Sequence, residues 1–128
     1  MIYLYIGIGG MIGSMLRYGL SLLIQNLYQS PAFTATLFVN VIGCFFLGWL
    51  TSRTMEKNMF SPVAVKAIGT GVIGSFTTFS TFSVEVVELF INQGWIQAGM
   101  YLLISALSGF LFVSLGFMLG EKVKVRRC

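Results

Sequence analysis

Apolar residues run along this chain in four long blocks, Ile2 to Ile24, Phe33 to Thr51, Val63 to Phe90 and Ala98 to Leu119, separated by short polar stretches. A helix needs about 20 consecutive apolar residues to cross the hydrocarbon core of a bilayer, and each block has that length. The connectors read QNLYQSPA, SRTMEKNMFSP and INQGWIQ, with Pro31 and Pro62 near helix starts, where a missing N–H costs little. Tyr28, Trp49 and Trp95 fall near block ends, as an aromatic belt requires. The pattern predicts an all-α integral membrane protein of four transmembrane helices, with residues 1–128 forming a single four-span membrane domain. The first block has no basic leader or small-residue cleavage site, so it is expected to remain as a span.

Composition agrees, with 56% apolar and only 9% charged residues and a mean hydropathy of +0.87. The chain has no histidine and no aspartate, so imidazole metal sites, Ser-His-Asp chemistry and the usual acid/base repertoire have no material to work with. The expectation is that it is not an enzyme. Cys44 lies in an apolar block and Cys128 is the last residue, which is no disulfide framework and no CxxC site.

Polar residues inside the blocks carry the chemistry. Ser75 to Ser83 read SFTTFSTFS, hydroxyls and phenyl rings at bilayer depth, just after Gly69, Gly71 and Gly74 in a block of 28 residues, longer than a straight span needs. Glycines and β-branched threonines both weaken a helix there, so a break in the third span is expected. Irregular backbone at that depth is tolerated only where protein or water covers it, and it commonly marks an ion or substrate site. Elsewhere Gly9, Gly13 and Arg17 share one face of the first helix, Asn40, Gly43, Cys44 and Leu47 one face of the second, and Tyr101, Ser105, Ser108 and Phe112 one face of the fourth. A serine in such a helix also has a plain use, bonding its own i−4 carbonyl, and glycines also serve close packing. The amide of Asn40 needs a partner. Four spans leave little interior to hide these groups from lipid, which points to oligomerisation.

With four spans, both termini and the second connector lie on one side. Arg53, Lys57, Lys66, Lys122, Lys124, Arg126 and Arg127 gather there, and the opposite loops hold no Lys or Arg. The positive-inside rule then places both termini in the cytoplasm, and the net charge of +4 needs no nucleic acid to explain it. Arg17 is the exception, set roughly 10 Å inside the end of the first block at about 1.5 Å per residue. It either snorkels or faces an aqueous vestibule, where pairing with Glu85 or Glu88 is open to it.

The segments GGMIGSMLRY at Gly9 to Tyr18, TLFVNVIGCFFLG at Thr36 to Gly48 and GTGVIGSFTTFSTFSVE at Gly69 to Glu85, together with the Tyr101 stripe, resemble the Fluc fluoride channels, also called the camphor-resistance family. The resemblance implies a fluoride-selective passive channel that exports fluoride from the cytoplasm across the bacterial inner membrane. It implies an assembly as an antiparallel (dual-topology type) dimer with two pores, in which a second subunit lies in inverted orientation. By the same resemblance Phe79 and Phe82 are the pore phenylalanines, and Asn40 donates its amide to the ion. Ser80, Thr81, Tyr101 and Ser105 supply a polar track, and Arg17 and Glu85 belong to the vestibule. The backbone carbonyls of Gly74 and Thr77 hold a structural Na⁺ on the dimer axis.

Physical chemistry favours these roles. The positive edge of a phenyl ring contacts an anion, and closely spaced neutral donors replace fluoride's hydration shell. A full positive charge at the bilayer centre would bind the ion too tightly to release it. The one-sided distribution of basic residues departs from what a chain inserting both ways usually shows, so the inverted partner is either a second copy or an oppositely oriented homologue. Two rival readings remain: a small four-span multidrug or cation exporter, which lacks here the mid-span acid it requires, and a non-transporting scaffold subunit whose hydroxyls act as interhelical glue.

Overall fold

The structure, a computed structural model, describes residues 1–29, 31–55 and 61–125. Glu56, Lys57, Arg126, Arg127 and Cys128 lie outside the described residues, as do the side chains of Lys122 and Lys124. All the described secondary structure is helical: α1 (Ile2–Tyr28), α2 (Ala32–Met55), α3 (Pro62–Lys66), a π-helical stretch (Ala67–Ile73), α4 (Gly74–Phe76), α5 (Ser80–Gln93) and α6 (Trp95–Val125). Four stretches are long and apolar enough to cross a membrane, namely Ile2–Tyr28, Ala32–Thr54, Pro62–Gln93 and Trp95–Glu121.

At Gln29, Ser61 and Gly94, local backbone chemistry and not hydropathy sets the helix ends. The helix α1 continues through polar Gln25 and Asn26 and stops where Gln29 takes the left-handed conformation (φ 46°). The third span starts at Pro62, behind Ser61, whose Oγ accepts the Ala64 N–H at 3.2 Å. It ends at Gly94, whose φ of 101° only glycine adopts freely, so α6 begins at the next residue.

The spans pair first with third and second with fourth. Gly9 and Gly13, the buried residues of α1, let its backbone touch the π-helical stretch. A Cβ on Gly9 would come within 2.6 Å of the Ala67 carbonyl oxygen, and one on Gly71 within 2.7 Å of that of Ile6. On the other side α2 lies along α6, with Gly48 against the Val113 carbonyl and Gly116 against the Phe45 carbonyl. In lipid, where apolar burial drives little association, this close backbone approach is the main source of helix cohesion. The buried core is correspondingly small, with Ala35, Val39, Leu50, Ile73, Leu89, Ala98 and Tyr101 as its apolar members, and large side chains such as Leu103, Leu107 and Phe110 face outward.

Candidate functional site

The site is organised by what happens after Phe76. Thr77 is extended (φ −75°, ψ 154°), and α5 starts at Ser80. Backbone groups leaving a helix at this depth cost several kcal/mol each unless something else satisfies them. Asn40, near the middle of α2, does so: its Nδ2 donates to the Thr78 carbonyl at 3.0 Å, and its Oδ1 accepts the Thr78 N–H at 2.8 Å. That N–H would otherwise close a regular turn onto the Gly74 carbonyl. The Thr81 N–H, which would likewise turn back onto Thr77, goes instead to Thr78 Oγ1 at 3.2 Å. The carbonyls of Gly74 and Thr77 therefore lose their regular helical donors. They are the two oxygens that the resemblance assigns to Na⁺, and freed carbonyls are the hard ligands such a cation takes.

A cavity of 470 Å³ opens beside this turn, lined by Asn40, Thr77, Thr78, Phe79, Phe82 and Ser105 among apolar residues of α2 and α6. The ring of Phe79 is 6.0 Å from that of Phe82 at an interplanar angle of 41°, and Phe82 is 5.2 Å from Tyr101. Phe79 is 80% exposed. Ser105 Oγ is buried and does not bond back to its own helix, standing next to the Tyr101 hydroxyl one turn earlier, whereas Ser108 in the same stripe donates to the Ile104 carbonyl at 2.6 Å. Asn40 gives one of its two amide hydrogens to the Thr78 carbonyl, and its side chain lines the cavity. Neutral donors and phenyl rings thus share one chamber, and among the described residues no charged side chain lines it.

A second cavity, of 250 Å³, is lined by Arg17, Ser21, Gln25, Thr36, Thr78, Thr81 and Glu85. Glu85 is only 6% exposed, and hydroxyls meet both its oxygens: Thr36 Oγ1 donates to Oε1 at 2.6 Å and Tyr101 OH to Oε2 at 2.8 Å. A buried carboxylate is tolerated when charge-assisted bonds of this kind replace its water. Glu85 thus takes hydroxyl partners rather than Arg17, with which it shares only the cavity. The Tyr101 hydroxyl also lies 3.3 Å from the Phe33 carbonyl, so this member of the proposed track is committed to buried partners. Ser80 is exposed, 3.4 Å from Thr78 Oγ1.

The structure therefore divides the expected residues. Asn40, Gly74, Thr77, Phe79, Phe82 and Ser105 line one chamber, while Arg17, Thr81 and Glu85 line the other, and Ser80 and Tyr101 line neither. Sequence reasoning passed over Thr36, Thr78, Ser21 and Gln25. Thr36 stands one turn before Asn40, and Ser21 and Gln25 follow Arg17 at i+4 and i+8, so helical spacing held the signal for these three. Thr78 reaches its partners through non-helical backbone, where spacing carries no such signal.

The chain is similar to known proteins over nearly its whole length. Residues 4–117 match the family described as CrcB-like protein, Camphor Resistance (CrcB). The chain is 45% identical over 121 residues to a Bacillus cereus protein named Fluoride-specific ion channel FluC 1, covering 94% of this chain and 84% of that one. A Bacillus thuringiensis protein of the same name is 43% identical, with 94% and 88% covered. A Listeria monocytogenes protein named Fluoride-specific ion channel FluC 2 is 42% identical over 123 residues, with 96% and 93% covered. With helices, polar chamber and nearly full-length similarity in agreement, this chain belongs to the CrcB camphor-resistance family.

Proposed function

We propose that this chain is a fluoride-selective passive ion channel, a multi-pass bacterial membrane protein and not an enzyme, through which fluoride leaves the cytoplasm. One observation carries the reading: Asn40, Phe79, Phe82 and the buried hydroxyl of Ser105 line a single chamber that, among the described residues, has no charged side chain in its lining. Such a lining supplies donors to strip water from a small anion, and ring edges to pass it, without a fixed charge that would trap it. The cavity of Arg17 and Glu85 serves as the vestibule, and Ser80, Thr81, Tyr101 and Ser105 supply the polar track, Tyr101 through its bond to Glu85.

The finer arrangement is part of the same proposal. We read the interval between α4 and α5 as the break in the third span and the whole chain as one four-span unit. An inverted second subunit, either another copy or an oppositely oriented homologue, completes two pores. Phe79, 80% exposed beside exposed Gly74 and Ser80, supports this, because polar groups at this depth must be covered by protein rather than lipid. Na⁺ held by the carbonyls of Gly74 and Thr77 would supply a fixed cation that steadies the interface. Thermal melting in sodium and in choline buffers tests it: identical curves remove the sodium site.

Purified protein in liposomes is expected to release fluoride, followed with a fluoride electrode, and to retain chloride. Retention of fluoride at the level of empty vesicles, both alone and after co-expression with an oppositely oriented homologue, overturns the channel. Reporter fusions at the C-terminus separate the two dimers, since a single orientation excludes the homodimer and a mixed one the heterodimer.

A further inference from the structure

Thr78 is the residue common to the linings of the two cavities. It is 8% exposed, and each of its polar atoms is committed. The N–H and carbonyl are clasped by Asn40, and Oγ1 accepts the Thr81 N–H and donates to Thr81 Oγ1 at 3.0 Å. A hydroxyl has one hydrogen to give and two lone pairs to receive. With a lone pair of Thr81 Oγ1 occupied by Thr78, the hydrogen of Thr81 is turned away from Thr78, and Thr81 lines the cavity that holds Arg17 and Glu85.

We infer that Thr78 is a positioning residue of the conduction path: standing in the wall between the two cavities, it holds the Thr81 hydroxyl with its hydrogen presented to an anion crossing that wall. This rests on the channel reading and deepens it. Thr78 does not bind the ion; it prepares the donor that does. The Asn40 clasp fixes the peptide that carries Thr78, so the wall has one geometry rather than several.

The test compares wild type, Thr78→Val, Thr78→Ser, Thr81→Ala and the double variant Thr78→Val/Thr81→Ala, all as assembled protein in fluoride-loaded liposomes. Valine keeps the shape and β-branch but loses the hydroxyl, whereas serine keeps the hydroxyl. Thr78→Val is expected to slow efflux about tenfold and Thr78→Ser to stay within about twofold of wild type, the scale of one hydrogen bond lost or kept in a desolvated path. Because Thr78 acts through Thr81, the double variant is expected to be no slower than Thr81→Ala alone, whereas independent effects would multiply. Wild-type efflux from Thr78→Val, equal impairment by serine and valine, or multiplied losses in the double variant each overturn the inference. So does failure of Thr78→Val to assemble, which would make the hydroxyl a matter of folding alone. Retention of fluoride by the wild type counts against the channel reading itself and is seen separately.

Discussion

Asn40→Leu removes both halves of the clasp on Thr78 while keeping the branching at Cγ. The Thr78 N–H and carbonyl, bonded at 2.8 and 3.0 Å in the native protein, are then left unpaired next to the turn between Phe76 and Ser80. Each orphaned buried group costs about 1–3 kcal/mol. Hydrogen bonds inside membrane proteins average only about 0.6 kcal/mol in double-mutant cycles, because the groups find other partners. The adjoining chamber offers water as such a partner, so the combined loss is expected at about 1–4 kcal/mol. Asn40→Asp keeps the acceptor for the Thr78 N–H but sets a carboxylate against the Thr78 carbonyl, and an acid at the centre of a span costs about 2.5–3.5 kcal/mol on insertion scales. Thermal melting of the solubilised assembly, paired with fluoride efflux, reads both effects. Both variants are expected to melt lower than wild type and to lose flux, since Phe79 follows Thr78 directly. An Asn40→Leu protein that melts and conducts as wild type does would refute the clasp as the element that holds this turn.

Phe79→Ile and Phe82→Ile are expected to abolish most fluoride flux while leaving assembly, judged by size-exclusion chromatography, intact; wild-type flux would remove that ring from the path. Tyr101→Phe keeps the ring contacts with Phe33 and Phe82 but deprives Glu85 of one of its two hydroxyl donors. A loss of about 1.5–3 kcal/mol, the range for hydrogen bonds to charged groups, is expected in melting, and adding Glu85→Gln should recover part of it. Gly116→Ala drives a Cβ into the Phe45 carbonyl and is expected to destabilise the α2–α6 pair by about 1–3 kcal/mol. Gly19→Ala, inside α1 with nothing within 4 Å, should not lower the melting temperature and gains about 0.5–1 kcal/mol of helix propensity.

The four spans were legible because hydrophobic length is a direct physical requirement of the bilayer. Their ends were less so, since a left-handed Gln29 and a Ser61 cap act beyond the apolar residues. Gly9 and Gly13 announced a contact face on α1, but nothing local named Ala67 and Val72 as what they touch. The need of Asn40 for a partner was likewise readable, whereas Thr78, 38 residues away, was not. Hydroxyl stripes proved ambiguous for a physical reason: Ser14 and Ser108 satisfy themselves on carbonyls one turn back, and only three-dimensional packing leaves Ser105 without such a bond.

The pairing of first span with third and second with fourth has a consequence for how the protein is made. Consecutive helical hairpins pack as they leave the ribosome, but here α1 waits for the third span and α2 waits for α6. The nascent chain with two inserted spans holds three buried glycines, Gly9, Gly13 and Gly48, whose backbone partners on the third and fourth spans have not yet been synthesised. The closest helix contacts of the first two spans therefore form only once the third and fourth are present.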